Sequence, residues 1–168
     1  MVRKTVLPER VWQRHANPWS GWTRAATTPV LVYALYHRDW RLLAAAVVWL
    51  VVNPAAFPAP ERTDSWMTRG VLAEREWLRE GNGTVGVSWP NVLNLFNVPV
   101  TLYVGWATVR RRPLHAILGT MLLMGLKLRW IDEIIDRTGL RGVDEPFDDW
   151  IAAHPLALVE AEPGDASA

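Results

Sequence analysis

The residues of this chain best suited to chemistry are carboxylates and amides set beside apolar sequence. Asp132, Glu133 and Asp136 crowd one short stretch, and carboxylates so close together on a helix can hold a divalent cation or exchange protons. Asn91, Asn94, Asn97, Thr101 and Thr108, with Gly105, recur at steps of three and four and so share one side of a helix. Glu74 stands three or four residues from Gly70, Val71, Trp77 and Leu78, so it points with the apolar face of its own helix. A carboxylate there must be paired, protonated or functional, and the expected partner is Arg24 or otherwise Arg14. With these go His15 and Asn17, which follow Arg14, and Asn53, near the end of the second apolar run.

Each group also has a plainer reading. Arg129 with Glu133 and Glu133 with Arg137 are i,i+4 ion pairs, which would make the acidic cluster a solvated helix face. The Asp-Gly-x-x-Ala-Arg pattern of the CDP-alcohol phosphotransferases is absent. The Asn face is either a seam of interhelical hydrogen bonds with close packing at Gly105, or the lining of a polar pathway or small-molecule site. The four His are scattered, and none stands in a His-Glu-x-x-His or Cys-x-x-Cys-His setting. There is no Gly-x-Ser-x-Gly and no phosphate-cradling loop. With no Cys, thiolate metal sites, disulfides and Cys catalysis are excluded. No cofactor or metal is expected.

The elements that position these residues are set by charge-free runs. The chain has 168 residues, 50% of them hydrophobic, a formal net charge of +1 and 11 Trp. A near-neutral balance argues against nucleic acid as a partner. Four stretches lack Asp, Glu, Lys and Arg: Ala25 to His37, Leu42 to Pro60, Gly81 to Val109 and Pro113 to Leu126. A spanning helix needs about 20 mostly apolar residues. With flanking Lys and Arg lifting their charges toward headgroups, four spans are expected near 18–36, 40–57, 90–109 and 113–130. Asn17-Pro18 suits a helix start, as do Pro90 and Pro113. Trp19, Trp22, Trp40, Trp89 and Trp130 fall near the span ends, as an aromatic belt would. Residues 64–80 read as an amphipathic helix, either lying on the membrane surface or capping the bundle. Asp64 or Ser65 would start it and Gly81-Asn82-Gly83 would stop it.

The expected fold is therefore all-α: a four-helix transmembrane bundle with an amphipathic surface helix between spans two and three. It occupies residues 1–140 and is followed by an acidic, mobile tail over 141–168. Met1 to Arg10 has no apolar core of the kind a secretory signal needs. The partner is the lipid bilayer, with a homo-oligomer needed if the Asn face is to enclose a pathway. Counting Lys and Arg places both termini in the cytoplasm, while the tight run Arg110-Arg111-Arg112 argues the reverse. Three functions stay open: a non-enzymatic lipid- or partner-binding membrane protein, a transporter or channel subunit, and an enzyme acting on lipid headgroups.

The block Arg14-His-Ala-Asn-Pro-Trp-Ser-Gly-Trp-Thr-Arg24 resembles a family of small prokaryotic multi-pass membrane proteins of unknown function. Asn53-Pro-Ala-Ala-Phe-Pro-Ala-Pro60, Trp66-Met-Thr-Arg-Gly-Val-Leu-Ala-Glu-Arg75 and the Leu126-to-Arg137 helix fit the same family. In that family an Arg often follows the Asn-Pro pair. Here Ala55 stands there, so no role for that Arg carries over. The resemblance implies a multi-pass membrane protein and supplies no activity.

Overall fold

The computed structural model describes residues 9–155. The chain is all-α over this range: α1 (Glu9–His15), α2 (Pro18–His37), α3 (Trp40–Val52), α4 (Trp66–Arg79), α5 (Asn91–Val109), α6 (Pro113–Arg137) and α7 (Phe147–Ala153), with a 3-10 turn at Asn53–Ala55. Local chemistry explains most boundaries. The Asn17 side chain accepts from the Trp19 N–H at the start of α2, where Pro18 needs no donor partner. Asp39 caps α3 by accepting from the Leu42 N–H. Pro113 opens α6, and Gly81, at φ +82°, takes the left-handed conformation that lets the chain leave α4.

The four-span reading is overturned. Among the described residues only α5 and α6 are long and apolar enough to cross a membrane. α3 ends at Val52 rather than near 57, and its 13 residues reach about 20 Å at 1.5 Å per residue, short of a bilayer core of about 30 Å. α2 has the length, at 20 residues. Ser20, Thr23, Arg24, Thr27 and Thr28 make it too polar. α6 runs on to Arg137, well past the expected end at 130.

The helices divide into two zones. In the stem, α5 and α6 pack as an antiparallel hairpin with α2 and then α3 alongside. The approach of α5 to α6 depends on Gly119, where an added Cβ would lie 2.7 Å from Val104 Cγ2. Gly105 faces open space, so it is not the close-packing point that sequence suggests. In the cap, α1, α4, the end of α6 and α7 enclose a core of Trp12, Val71, Leu72, Trp77, Trp130, Ile134, Ile135, Phe147 and Trp150. α4 approaches α6 closely at Gly70, whose Cβ would meet Ile131 Cγ2 at 2.6 Å.

Three further expectations change in the cap. α4 is a core helix, not a surface one: Met67, Thr68, Gly70 to Ala73, Arg75, Glu76 and Trp77 are all buried. Trp130 is wholly buried and belongs to this core rather than to an interfacial belt. Residues 141–155, expected as the start of a mobile tail, pack onto the cap. Thr63 N–H donates to the Glu145 carbonyl and Phe147 N–H to the Glu61 carbonyl, both at 3.0 Å, which docks α7 with Phe147 and Trp150 inward. The expected tail beyond 155 lies outside the described residues, as do residues 1–8.

Candidate functional site

The polar residues of the Arg14–Arg24 block meet those of the Asn53–Pro60 block at one buried seam where the cap joins the stem. α1 presents His15, the first turns of α2 present Ser20, Thr23 and Arg24, and the turn after α3 presents Asn53. Ser20 and Asn53 are fully buried, so every polar atom there must find a partner. His15 Nδ1 lies 3.0 Å from Ser20 Oγ. Ser20 Oγ donates to Asn53 Oδ1 at 2.8 Å. Asn53 Nδ2 donates to Thr23 Oγ1 at 2.8 Å, and Thr23 Oγ1 donates to the Trp19 carbonyl at 2.6 Å. On the other side of the imidazole, Arg24 Nη1 stands 3.5 Å from His15 Nε2.

The donor inventory gives this seam a single direction. Arg only donates, so His15 Nε2 accepts and Nδ1 carries the proton. Ser20 receives from Nδ1 and passes its own proton to Asn53. Burial first, and the Arg24 charge second, lower the His15 pKa to about 4, so the ring is neutral at physiological pH. A Ser–His pair of this polarity lacks the free ring nitrogen that would draw the hydroxyl proton, so it is not a nucleophile–base pair. It is a structural relay ending on the backbone of α2.

Two more residues of the block tie the same joint from outside. Arg14 Nε donates to the Phe57 carbonyl and Asn17 Nδ2 to the Pro58 carbonyl, each at 3.0 Å. The Asn-Pro-x-x-Phe-Pro segment is thus held by side chains of α1 and of the α2 cap.

Glu74 is half-buried. No ion pair joins it to Arg24 or Arg14 among the described residues; Arg24 faces His15 instead and Arg14 a backbone carbonyl. Lys127 of α6 rests 4.0 Å over the Trp130 ring. The buried ion pair of α4 is one residue on from Glu74: Arg75, with 1% of its side chain exposed, lies 3.1 Å from Glu9 and donates to the His154 carbonyl at 2.7 Å. Arg75 and Glu76, two charged residues of the amphipathic helix, are both buried because α1 and α7 cover the side of α4 that α6 does not.

The Asn ladder of α5 is engaged in structural bonds. Asn91 Oδ1 accepts from Trp130 Nε1 at 3.4 Å, Asn94 Nδ2 donates to the Thr84 carbonyl at 2.9 Å, and Asn97 Nδ2 donates to Asn94 Oδ1 at 3.3 Å. Asn97 Oδ1 is a buried acceptor with no protein donor. The Asn97 residue borders a cavity of about 190 Å³ lined also by Thr28 and Lys127. Thr101 is exposed and turns back to the Asn97 carbonyl.

The acidic residues at the end of α6 form an ion-paired face. Arg129 bridges Asp132 at 3.0 Å and Glu133 at 3.1 Å, and Arg137 reaches Glu133 at 3.6 Å. Arg141, from beyond the helix, pairs with both Asp132 and Asp136. Asp132 and Glu133 also accept from the indoles of Trp66 and Trp89. Among the described residues no group of three or more His, Asp or Glu is placed to hold a metal ion.

Of the residues singled out by sequence, the seam brings together Arg14, His15, Asn17, Arg24 and Asn53, while Glu74 and the three Asn lie apart from it. Ser20 and Thr23 were missed. Their signal was present in the three- and four-residue spacing of Ser20, Thr23 and Thr27 along α2.

An all-helical chain, part packed cap and part apolar stem, is the class of protein these features define. The chain matches the family described as "Family of unknown function (DUF6653)" over residues 1–156, and it belongs to that family. No curated protein and no solved structure matches it.

Proposed function

We propose that this chain is a non-enzymatic, multi-pass membrane protein in which α5 and α6 cross the bilayer as a hairpin and the cap rests at one membrane surface. The observation that carries this reading is the apolar surface of the hairpin. Phe96, Val98 and Leu102 of α5 and Leu114, Ile117, Leu118, Met121 and Leu122 of α6 are each at least half exposed. Only 22% of each helix's apolar window is buried. The core helices of a soluble protein would be mostly covered, and a patch of this extent in water marks an interaction surface. At 1.5 Å per residue α5 extends about 28 Å, close to the hydrocarbon thickness. α3, too short to cross alone, lays Val47, Val48 and Val51 in the same zone.

Exposed rings flank the apolar zone, with Trp19, Trp22 and Trp89 toward the cap and Trp40, Tyr103 and Trp106 toward the far end. Two crossings leave the described segments before α5 and after α6 on one side. We assign that side to the cytoplasm, because the loop between the crossings holds Arg110 to Arg112 while the described segments before α5 and after α6 hold most of the described Lys and Arg. The role is binding of lipid or a partner within the membrane rather than catalysis. This is supported by the relay that commits the Ser20 proton to Asn53, and by the salt bridges that occupy the carboxylates of α6.

The test has two parts. Carbonate washing should leave the protein in the membrane pellet, and its release would refute the reading. Because the chain has no Cys, Arg110→Cys and Asn82→Cys each give a single label site. A membrane-impermeant maleimide on intact cells should reach the first and not the second; the opposite result reverses the orientation.

A further inference from the structure

Between α2 and α6 the stem carries a cleft of about 410 Å³, within the range of small-molecule sites. Its walls are Val32 and Tyr36 of α2 and Ile117, Thr120 and Met124 of α6, almost wholly apolar. Its upper end is closed by His37 and Pro113, which adjoin the two turns at the far end of the stem. Those turns carry Arg38, Arg41, Arg110, Arg111 and Arg112 against a single acid, Asp39. Among the described residues none of these five arginines is in an ion pair, whereas the arginines of the cap are extensively paired.

We propose that this cleft holds an acyl chain of an anionic phospholipid whose phosphate sits on the arginine rim. Three observations choose this occupant. An apolar cleft open to hydrocarbon offers water no hydrogen-bond partners, so a lipid chain fills it in place of solvent. From Pro113 to Met124 the wall is about 16 Å long, which is one leaflet of a core of about 30 Å, so a single chain entering from the near surface fits its length. The charge at the mouth is uniformly positive and unneutralised, complementary to a phosphodiester, and each Arg near a bilayer surface strengthens attraction to anionic lipid. The Tyr33 ring lies tilted against His37, with ring centroids 4.4 Å apart, at the headgroup level where amphipathic rings prefer to lie.

This rests on the membrane reading above and names the ligand class of that stem. The experiment uses the full chain in a nonionic detergent, with dioleoylphosphatidylglycerol and dioleoylphosphatidylcholine as probes. Retained lipid is read by native mass spectrometry and binding by titration of thermal stability. The wild type should prefer the anionic lipid roughly tenfold or more. The double variant Arg38→Gln with Arg112→Gln should bring that preference near parity and leave phosphatidylcholine binding unchanged. Val32→Trp and Ile117→Trp, made separately, should fill the cleft and reduce retention of both lipids while the melting temperature of the lipid-free protein is kept. Equal affinity of the wild type for the two lipids, or undiminished retention by a folded cleft-filled variant, would overturn the proposal. Failure of the membrane reading is a different result, the release of protein by carbonate. A protein that stays in the pellet yet shows no headgroup preference refutes the lipid site alone.

Discussion

Helix α6 is one continuous helix lying in two surroundings. In its first half Leu114, Ile117, Leu118, Met121 and Leu122 are each more than half exposed; in its second half Trp130, Ile134 and Ile135 are buried almost completely. The division falls at Lys127 and Arg129, where charge first enters the helix. Apolar side chains of similar size are covered by protein in one half and left bare in the other. The cap is a core built for water, closed by α1, α4 and α7. Under the membrane reading proposed above, the bare surface of the stem faces lipid. A single helix period serves both, so amphipathicity alone does not tell core from lipid face.

The comparison breaks most decisively at the cap. Trp130→Ala removes the largest fully buried side chain and should cost about 3–5 kcal/mol. Thermal unfolding in detergent should show the lost stability; a change under about 1 kcal/mol would mean that the cap core is not packed as described.

A pH titration probes the seam between the zones. The folded pKa of His15 is lowered to about 4 from 6.5. Between those values the unfolded chain binds the proton and the folded chain does not. Stability therefore rises with pH through this window and is lost as pH falls from about 6.5 toward 4, by on the order of 3 kcal/mol. Melting temperature against pH should show this slope in the wild type and a flatter profile in His15→Gln. Parallel profiles would place a neutral His15 outside the seam.

Asn53→Ala strands the Ser20 hydroxyl and the Thr23 acceptor together. The expected loss is about 1–3 kcal/mol, because buried polar atoms lose partners that water does not replace. An unchanged melting temperature would show that the relay does not join the two blocks. The smallest effect belongs to the stem. Leu118→Ala, at a position 55% exposed, should change stability in detergent by no more than about 0.5 kcal/mol. A loss comparable to that of Trp130→Ala would mean that the stem surface is covered by protein, as in an oligomer.

The parts of the fold that were legible depend on near neighbours. Asn17-Pro18 reads as a helix start because the cap bond joins residues two apart. The Arg129–Glu133–Arg137 ladder reads correctly because i,i+4 residues are adjacent on any α-helix. The misreadings share the opposite property. Charge-free runs do not show where a helix ends, so α3 was drawn longer than its 13 residues. Arg75 looks like a surface residue until Glu9 and the His154 carbonyl arrive from distant sequence. Glu74 was given Arg24 as a partner because both border apolar sequence, and the fold sets Arg24 against His15 instead.

By itself, then, the sequence determined the all-helical class, the starts of α2 to α6, the apolar runs of α5 and α6, and the absence of thiol chemistry. Each follows from composition or from contacts within a turn or two of helix, where backbone geometry fixes which residues meet. Only the tertiary structure decided that α4 and Trp130 are core, that His15, Ser20 and Asn53 form one directed relay, and that the far arginines stand unpaired around an apolar cleft. Those facts depend on residues such as Ser20 and Asn53, 33 positions apart, or Arg75 and His154, 79 apart. Their meeting is set by how whole helices pack, which local spacing does not encode.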